Sequence, residues 1–239
     1  MKVAYLSPTD LLKSAGQVLV IEAAPGEARR DYLRHVLQAV QPRGAATWLL
    51  TCDRVTDGLW SGLKDLFSDF IPTLQAYAPD LIVRYGYELA VILPALQRTI
   101  EVQNPNLTDL SPEAERTRNY AADRAYRIIQ GLIELLEAWQ QISLPERIVI
   151  ACDHYDHASA MVQRFFTELM RRRGQHLQII LIVAVDRDAG EPIRHLFAPD
   201  SIGQFLQLHL PSDSTPPVSP ADMAHGAPSR VASTSDIGE

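Results

Sequence analysis

The sequence predicts an α/β domain with three layers: a mostly parallel, five-stranded sheet, helices on both faces, and a helical insertion between the second and third strands. Three observations predict it. Five apolar runs of strand length recur between residues 17 and 210. Segments with helical periodicity separate them. The longest interval, residues 53–145, carries helical pattern and no strand-like run. Strands that alternate with helices pack as a parallel sheet, because a parallel partner needs a long crossover.

Residues 1–16 read as an N-terminal extension. Gln17–Glu22 (QVLVIE) is an unbroken apolar run, as expected of a strand covered on both faces. Pro25-Gly26 breaks it. Glu27–Gln41 then carries Tyr32, Val36 and Val40 at every fourth position, with Leu33 and Leu37 beside them, which is an amphipathic helix. Pro42-Arg43-Gly44 ends it, and Ala45–Thr51 (AATWLLT) is the second strand. Leu59–Tyr77 shows a stripe through Leu63, Phe67, Phe70 and Leu74, with Pro72 as a candidate break. Leu81–Leu96 is apolar on most faces, so a buried helix is expected. Asn104–Pro112 reads as a loop. A long helix over Pro112–Gln141 follows, with Ser111 as N-cap and Pro112 at the first helical position.

Arg147–Cys152 (RIVIAC) is the third strand. Ala158–Arg173 is a helix with Met161, Val162, Phe165, Phe166 and Leu169 on its apolar side. Arg171-Arg172-Arg173 meets that helix's dipole, and Gly174 is its expected cap. Leu177–Val185 (LQIILIVAV) is the fourth strand, and the alternating Phe205–Leu210 (FLQLHL) the fifth, at an edge. Residues 211–239 differ in kind. They hold five Pro, six Ser and two Thr but no Leu, Phe, Trp or Tyr, so a disordered tail is expected. The domain itself spans residues 17–210.

Composition narrows the function classes. The 239 residues carry a formal charge of −7, with 46% hydrophobic and 21% charged residues. That balance suits a soluble domain and argues against coating nucleic acid. The N-terminal apolar stretch is interrupted by Ser7, Pro8, Thr9 and Asp10, so a secretory signal is not expected there. No run reaches the roughly 20 apolar residues of a membrane span. The chain therefore reads as cytoplasmic, with no membrane and no direct nucleic-acid partner. Cys52 and Cys152 stand in no metal-type pair and read as reduced core thiols.

Ligands of parallel sheets bind at the carboxyl ends of the strands. After the first strand the chain reads E-A-A-P-G-E-A-R-R, between a strand and a helix N-terminus, where a phosphate loop sits. Against G-x-x-x-x-G-K-[ST], Ala23 and Ala28 replace the glycines, Arg29 the lysine, and Arg30 the hydroxyl. Pro25, Gly26, Arg29 and Arg30 are the candidate nucleotide- or anion-binding residues here. The third strand runs into D-H-Y-D-H. Asp153 stands where nucleotide hydrolases present a Mg²⁺-binding acid, and His154 where a water-activating base would follow. Asp153, His154, Asp156 and His157 also invite a metal reading. Metal sites need ligands from several elements, and no second ligand motif accompanies these four, so the segment reads as a polar loop in which Asp156 or Ser159 caps the next helix. Arg187, after the fourth strand, is a candidate phosphate sensor.

Taken together, VLVIEAAPGEARRDYL, RIVIACDHYDHASAMVQRFFTEL, LQIILIVAVDRD and FLQLHLPSDS resemble, in order, the successive strand segments of STAND-type AAA-like P-loop ATPase domains, which head bacterial multidomain regulators. The resemblance implies a P-loop NTPase-like sheet in the order fifth, first, fourth, third, second. It also implies ATP and Mg²⁺ as ligands and a nucleotide-driven switch. The helical repeats that follow such domains are not evident, so a stand-alone version is expected. With all four loop residues replaced, the expected function is that of a pseudo-ATPase. It would bind a protein partner (a regulator, a helical-repeat subunit or an enzyme), with hydrolysis lost or severely impaired and no cofactor assigned. Two alternatives stand beside it. One is an NTPase with an atypical loop, using ATP and Mg²⁺ through Asp153 and His154. The other is a small-molecule or anion sensor using Arg29, Arg30 and Arg187.

Overall fold

Four apolar runs become strands β1 (Val18–Glu22), β2 (Ala45–Thr51), β3 (Arg147–Asp153) and β4 (Ile179–Val185). The computed structural model describes residues 11–98, 121–186, 189–197 and 208–209. The four strands pair in parallel in the order β2-β3-β4-β1. Beyond β1, Leu208–His209 (β5) adds a short parallel pairing with Ile21 and Glu22. The rest of the predicted fifth strand, the tail, Ser111, Pro112 and Arg187 lie outside the described residues.

The helices are α1 (Glu27–Val40), α2 (Arg54–Asp57), α3 (Leu63–Tyr77), α4 (Pro79–Arg84), α5 (Gly86–Ile92), α6 (Ala121–Ser143), α7 (Ala160–Arg173) and α8 (Gly190–Phe197). No helix among the described residues is long and apolar enough to cross a membrane.

Alternation along each strand divides the core in two. Ile148, Ile150 and Cys152 of β3, with Leu181, Val183 and Val185 of β4, face a large cluster built by α3, α5, α6 and α7. Trp48, Phe70 and Trp139 anchor it. Phe70 stacks on Trp139 at 4.4 Å, and Trp48 meets both rings edge-on. The intervening residues Val149, Ala151, Ile180, Ile182 and Ala184 face a smaller cluster. It is closed by Leu33, Val36, Leu37 and Val40 of α1, with Leu11 and Leu12 from the predicted extension.

Three local expectations need correction. Pro72 does not break α3, which runs through it. Pro72 is on the exposed side, so the Ser68 carbonyl left without its helical donor can reach water, while Phe70, Ile71 and Leu74 hold the buried side. Leu81–Leu96 is not one helix. It divides into α4, α5 and a 3₁₀ turn at Pro94–Arg98, with non-helical geometry at Tyr85 (φ −102°, ψ 20°) between the first two. Gly174 caps α7 in right-handed geometry (φ −49°, ψ −50°), not the left-handed one. It is needed for space, since a Cβ there would stand 2.6 Å from the Met170 carbonyl oxygen. The three arginines before it form ion pairs: Arg171 and Arg172 with Glu168, and Arg173 with Glu137 of α6.

Candidate functional site

Parallel pairing brings the carboxyl ends of all four long strands to one edge of the sheet. Each run ends in an acid within two residues: Glu22, Asp53, Asp153 and Asp186. Glu22 and Asp153 are buried, at 6% and 2% exposure. Asp53 is on the surface and caps α2, its Oδ1 accepting from the Val55 N–H at 2.9 Å. That bond, aided by the Thr56 hydroxyl and then by His157 and His154, holds its carboxyl below the usual range.

The loop after β1 links it to the N-terminus of α1. Ala24 through Ala28 are exposed. Gly26 takes φ 144°, a conformation that a residue with a Cβ rarely adopts, and starts α1 with no side-chain cap. Arg29 then departs from the expected role. One helical turn in, its side chain points inward and is 1% exposed. Its Nη1 donates to Asp186 Oδ1 at 2.9 Å and to the Ala23 carbonyl at 3.2 Å. Its Nε lies 2.8 Å from Asp153 Oδ1, a close ion pair too bent for an aligned hydrogen bond. Its Nη2 is buried with no hydrogen-bond partner. The guanidinium thus ties the tips of β3 and β4 to the start of α1. Arg30 is half-buried, with Nε enclosed and unpartnered, and its N–H donates to the Gly26 carbonyl.

At the tip of β3, His154 adopts the left-handed conformation (φ 55°), which reverses the chain directly after the strand. Its N–H donates to Asp153 Oδ1 at 3.0 Å, so that oxygen faces both the histidine amide and Arg29. Its imidazole Nε2 is 3.8 Å from Asp153 Oδ2 and its ring lies 5.8 Å from that of His157. A 3₁₀ turn, Tyr155–His157, follows, its Tyr155 ring fully buried. Of the two expected caps, Ser159 is the one used. Its hydroxyl accepts from the Val162 N–H at 3.2 Å and donates to the Leu59 carbonyl at 2.5 Å. Cys52 and Cys152 are free, buried thiols beside this edge, and burial, with the neighbouring Cys52, pushes the Cys152 thiol well up.

The structure therefore brings Asp153, His154 and Arg29 together and leaves Pro25 and Gly26 on the open loop. Asp186 lies in no motif, yet the acid that closes each long strand run is a signal readable in the sequence. The second element that a metal site needs is visible only in the structure. Asp156 and His157 stand with Asp186, each offering a ligand atom within 4.8 Å of the others. In comparisons with known proteins, no family model matches the chain, and no curated protein matches it.

Proposed function

We propose that the chain is a degenerate P-loop NTPase-like domain of the STAND/AAA type, acting as a pseudo-ATPase that binds a protein partner. One observation carries this reading: Arg29, at the phosphate-loop lysine position, is spent internally on Asp153 and Asp186. A phosphate-binding lysine must reach outward, and a Mg²⁺-binding acid must be open to the ion. Here the two groups neutralise each other. Arg30 occupies the hydroxyl position and adds a cation where Mg²⁺ would need an oxygen ligand. The residues present do not suit Mg²⁺–ATP.

Two further features support the reading. The relative order of β1, β4, β3 and β2 agrees with the sheet order the resemblance implies. At the same edge of the sheet, Val55 and Leu59 are 84% and 65% exposed, an apolar contact for a partner beside the strand tips.

Titration calorimetry with ATP and Mg²⁺ tests the reading. No heat of binding is expected. Micromolar, Mg²⁺-dependent affinity overturns it in favour of the NTPase alternative. A variant carrying Ala23→Gly, Ala28→Gly, Arg29→Lys and Arg30→Thr restores the loop pattern and is expected to gain ATP affinity. The partner is sought by pull-down with and without residues 211–239, and Val55→Asp with Leu59→Asp is expected to abolish specific capture.

A further inference from the structure

The geometry points to a second site at the same edge: a transition-metal site for Zn²⁺ or a similar ion, held by Asp156, His157 and Asp186. It is separate from nucleotide binding and stands whether or not ATP binds. The three residues come from two elements. Asp156 and His157 lie on the turn after β3, and Asp186 directly follows β4, its neighbour in the sheet. Their ligand atoms all lie within 4.8 Å of one another. Ligand atoms around a tetrahedral zinc stand about 3.3 Å apart, given bonds of about 2.0–2.1 Å. Small rotations about the Asp and His side-chain bonds can close that gap.

An independent observation marks Asp156. Its side chain is only 10% exposed, yet its Oδ1 is buried without a hydrogen-bond partner. A buried carboxylate oxygen without a donor is costly, and a cation there removes the cost. The His157 Nε2, 3.5 Å from Asp156 Oδ2, supplies the nitrogen ligand. A set of one imidazole and two carboxylates favours Zn²⁺ over Mg²⁺, which prefers oxygen alone. Charge agrees: among the described residues at this edge, Glu22, Asp53, Asp153, Asp156 and Asp186 outnumber Arg29, Arg30 and Arg54. Arg29 takes the outer position, holding Asp186 Oδ1 at 2.9 Å as hydrogen-bonded partners hold ligating carboxylates elsewhere.

The test uses the full chain stripped with a chelator and titrated with ZnCl₂ against a chromogenic zinc indicator. One equivalent should bind with micromolar or tighter affinity, unchanged by millimolar Mg²⁺. His157→Ala should weaken binding at least tenfold. His157 is half-exposed, so this variant should keep the metal-free far-UV circular dichroism spectrum and melting temperature. Asp186→Asn should weaken binding similarly, and Zn²⁺ should raise the melting temperature of the parent but of neither variant. His176→Ala, whose imidazole pairs with Glu137 elsewhere, should bind as the parent does. No zinc bound at 100 μM, equal affinity in His157→Ala, or displacement by equimolar Mg²⁺ overturns the proposal.

Discussion

The two faces of the sheet are held by different physics. On one, α3, α5 and α6 of the insertion, with α7, bury a broad aromatic and aliphatic cluster around Phe67, Phe70, Trp139 and Phe165. On the other, α1 and residues 11–12 cover a narrower aliphatic patch, and the start of α1 is fixed by a buried ion pair. The first face spreads its stability over many contacts. The second concentrates much of its fixing on Arg29. That contrast separates the fold from the chemistry of the strand tips: the hydrophobic face does not depend on what Arg29 does.

The contrast can be broken at either side. Phe70→Ala should have the largest effect, a loss of about 3–5 kcal/mol, because it removes a buried ring and leaves Trp48 and Trp139 facing a cavity. Chemical denaturation measures it, and a loss under 1 kcal/mol would mean the broad cluster does not carry the domain. Arg29→Met should cost about 3 kcal/mol, since Asp153 is left charged and buried with the His154 N–H but without its guanidinium partner. Adding Asp153→Asn should recover at least half of that. Equal losses in the single and double variants would show that the ion pair is not what fixes α1. Leu33→Ala, fully buried on the narrower face, should cost about 2–3 kcal/mol and leave the zinc titration unchanged.

The smallest effect lies at Tyr85, whose hydroxyl donates to Glu134 at 3.1 Å. Burial, with the Glu134 carboxylate, pushes its ionisation up to about 12. The unfolded tyrosine ionises near 10, so the folded form holds its proton more tightly. The contribution of Tyr85 is complete below pH 10 and is lost as the pH rises from about 10 to about 12. Melting temperatures across that range should fall less steeply in Tyr85→Phe than in the parent, and parallel curves would remove Tyr85 as a cause.

How much was legible depends on the range of the cause. β4 appears within the run Leu177–Val185, buried at every strand position, and α1 starts at Glu27 as its apolar spacing requires. Burial on both faces makes strand runs apolar throughout, and such runs are visible without tertiary information. Gly44, expected to end the first helical segment, does so with φ 79°. Pro72 misled because a proline's cost depends on whether the carbonyl it strands faces water, which sequence does not state. Arg29 misled for a related reason. Its place in the loop pattern pointed outward to phosphate, but the direction of its side chain is set by acids 124 and 157 positions away.

The sequence by itself determined the alternation of strands and helices, the apolar stripes, the open loop at Pro25-Gly26 and the departure of Ala23, Ala28, Arg29 and Arg30 from the phosphate-loop pattern. These follow from local periodicity, backbone preference and residue identity. Tertiary structure decided which acids meet. Parallel pairing set the tips of β3 and β4 side by side, which gave Arg29 its partners and brought Asp186 to Asp156 and His157. Those charges interact through space over a few ångströms, and only the register of the sheet determines which of them are that close.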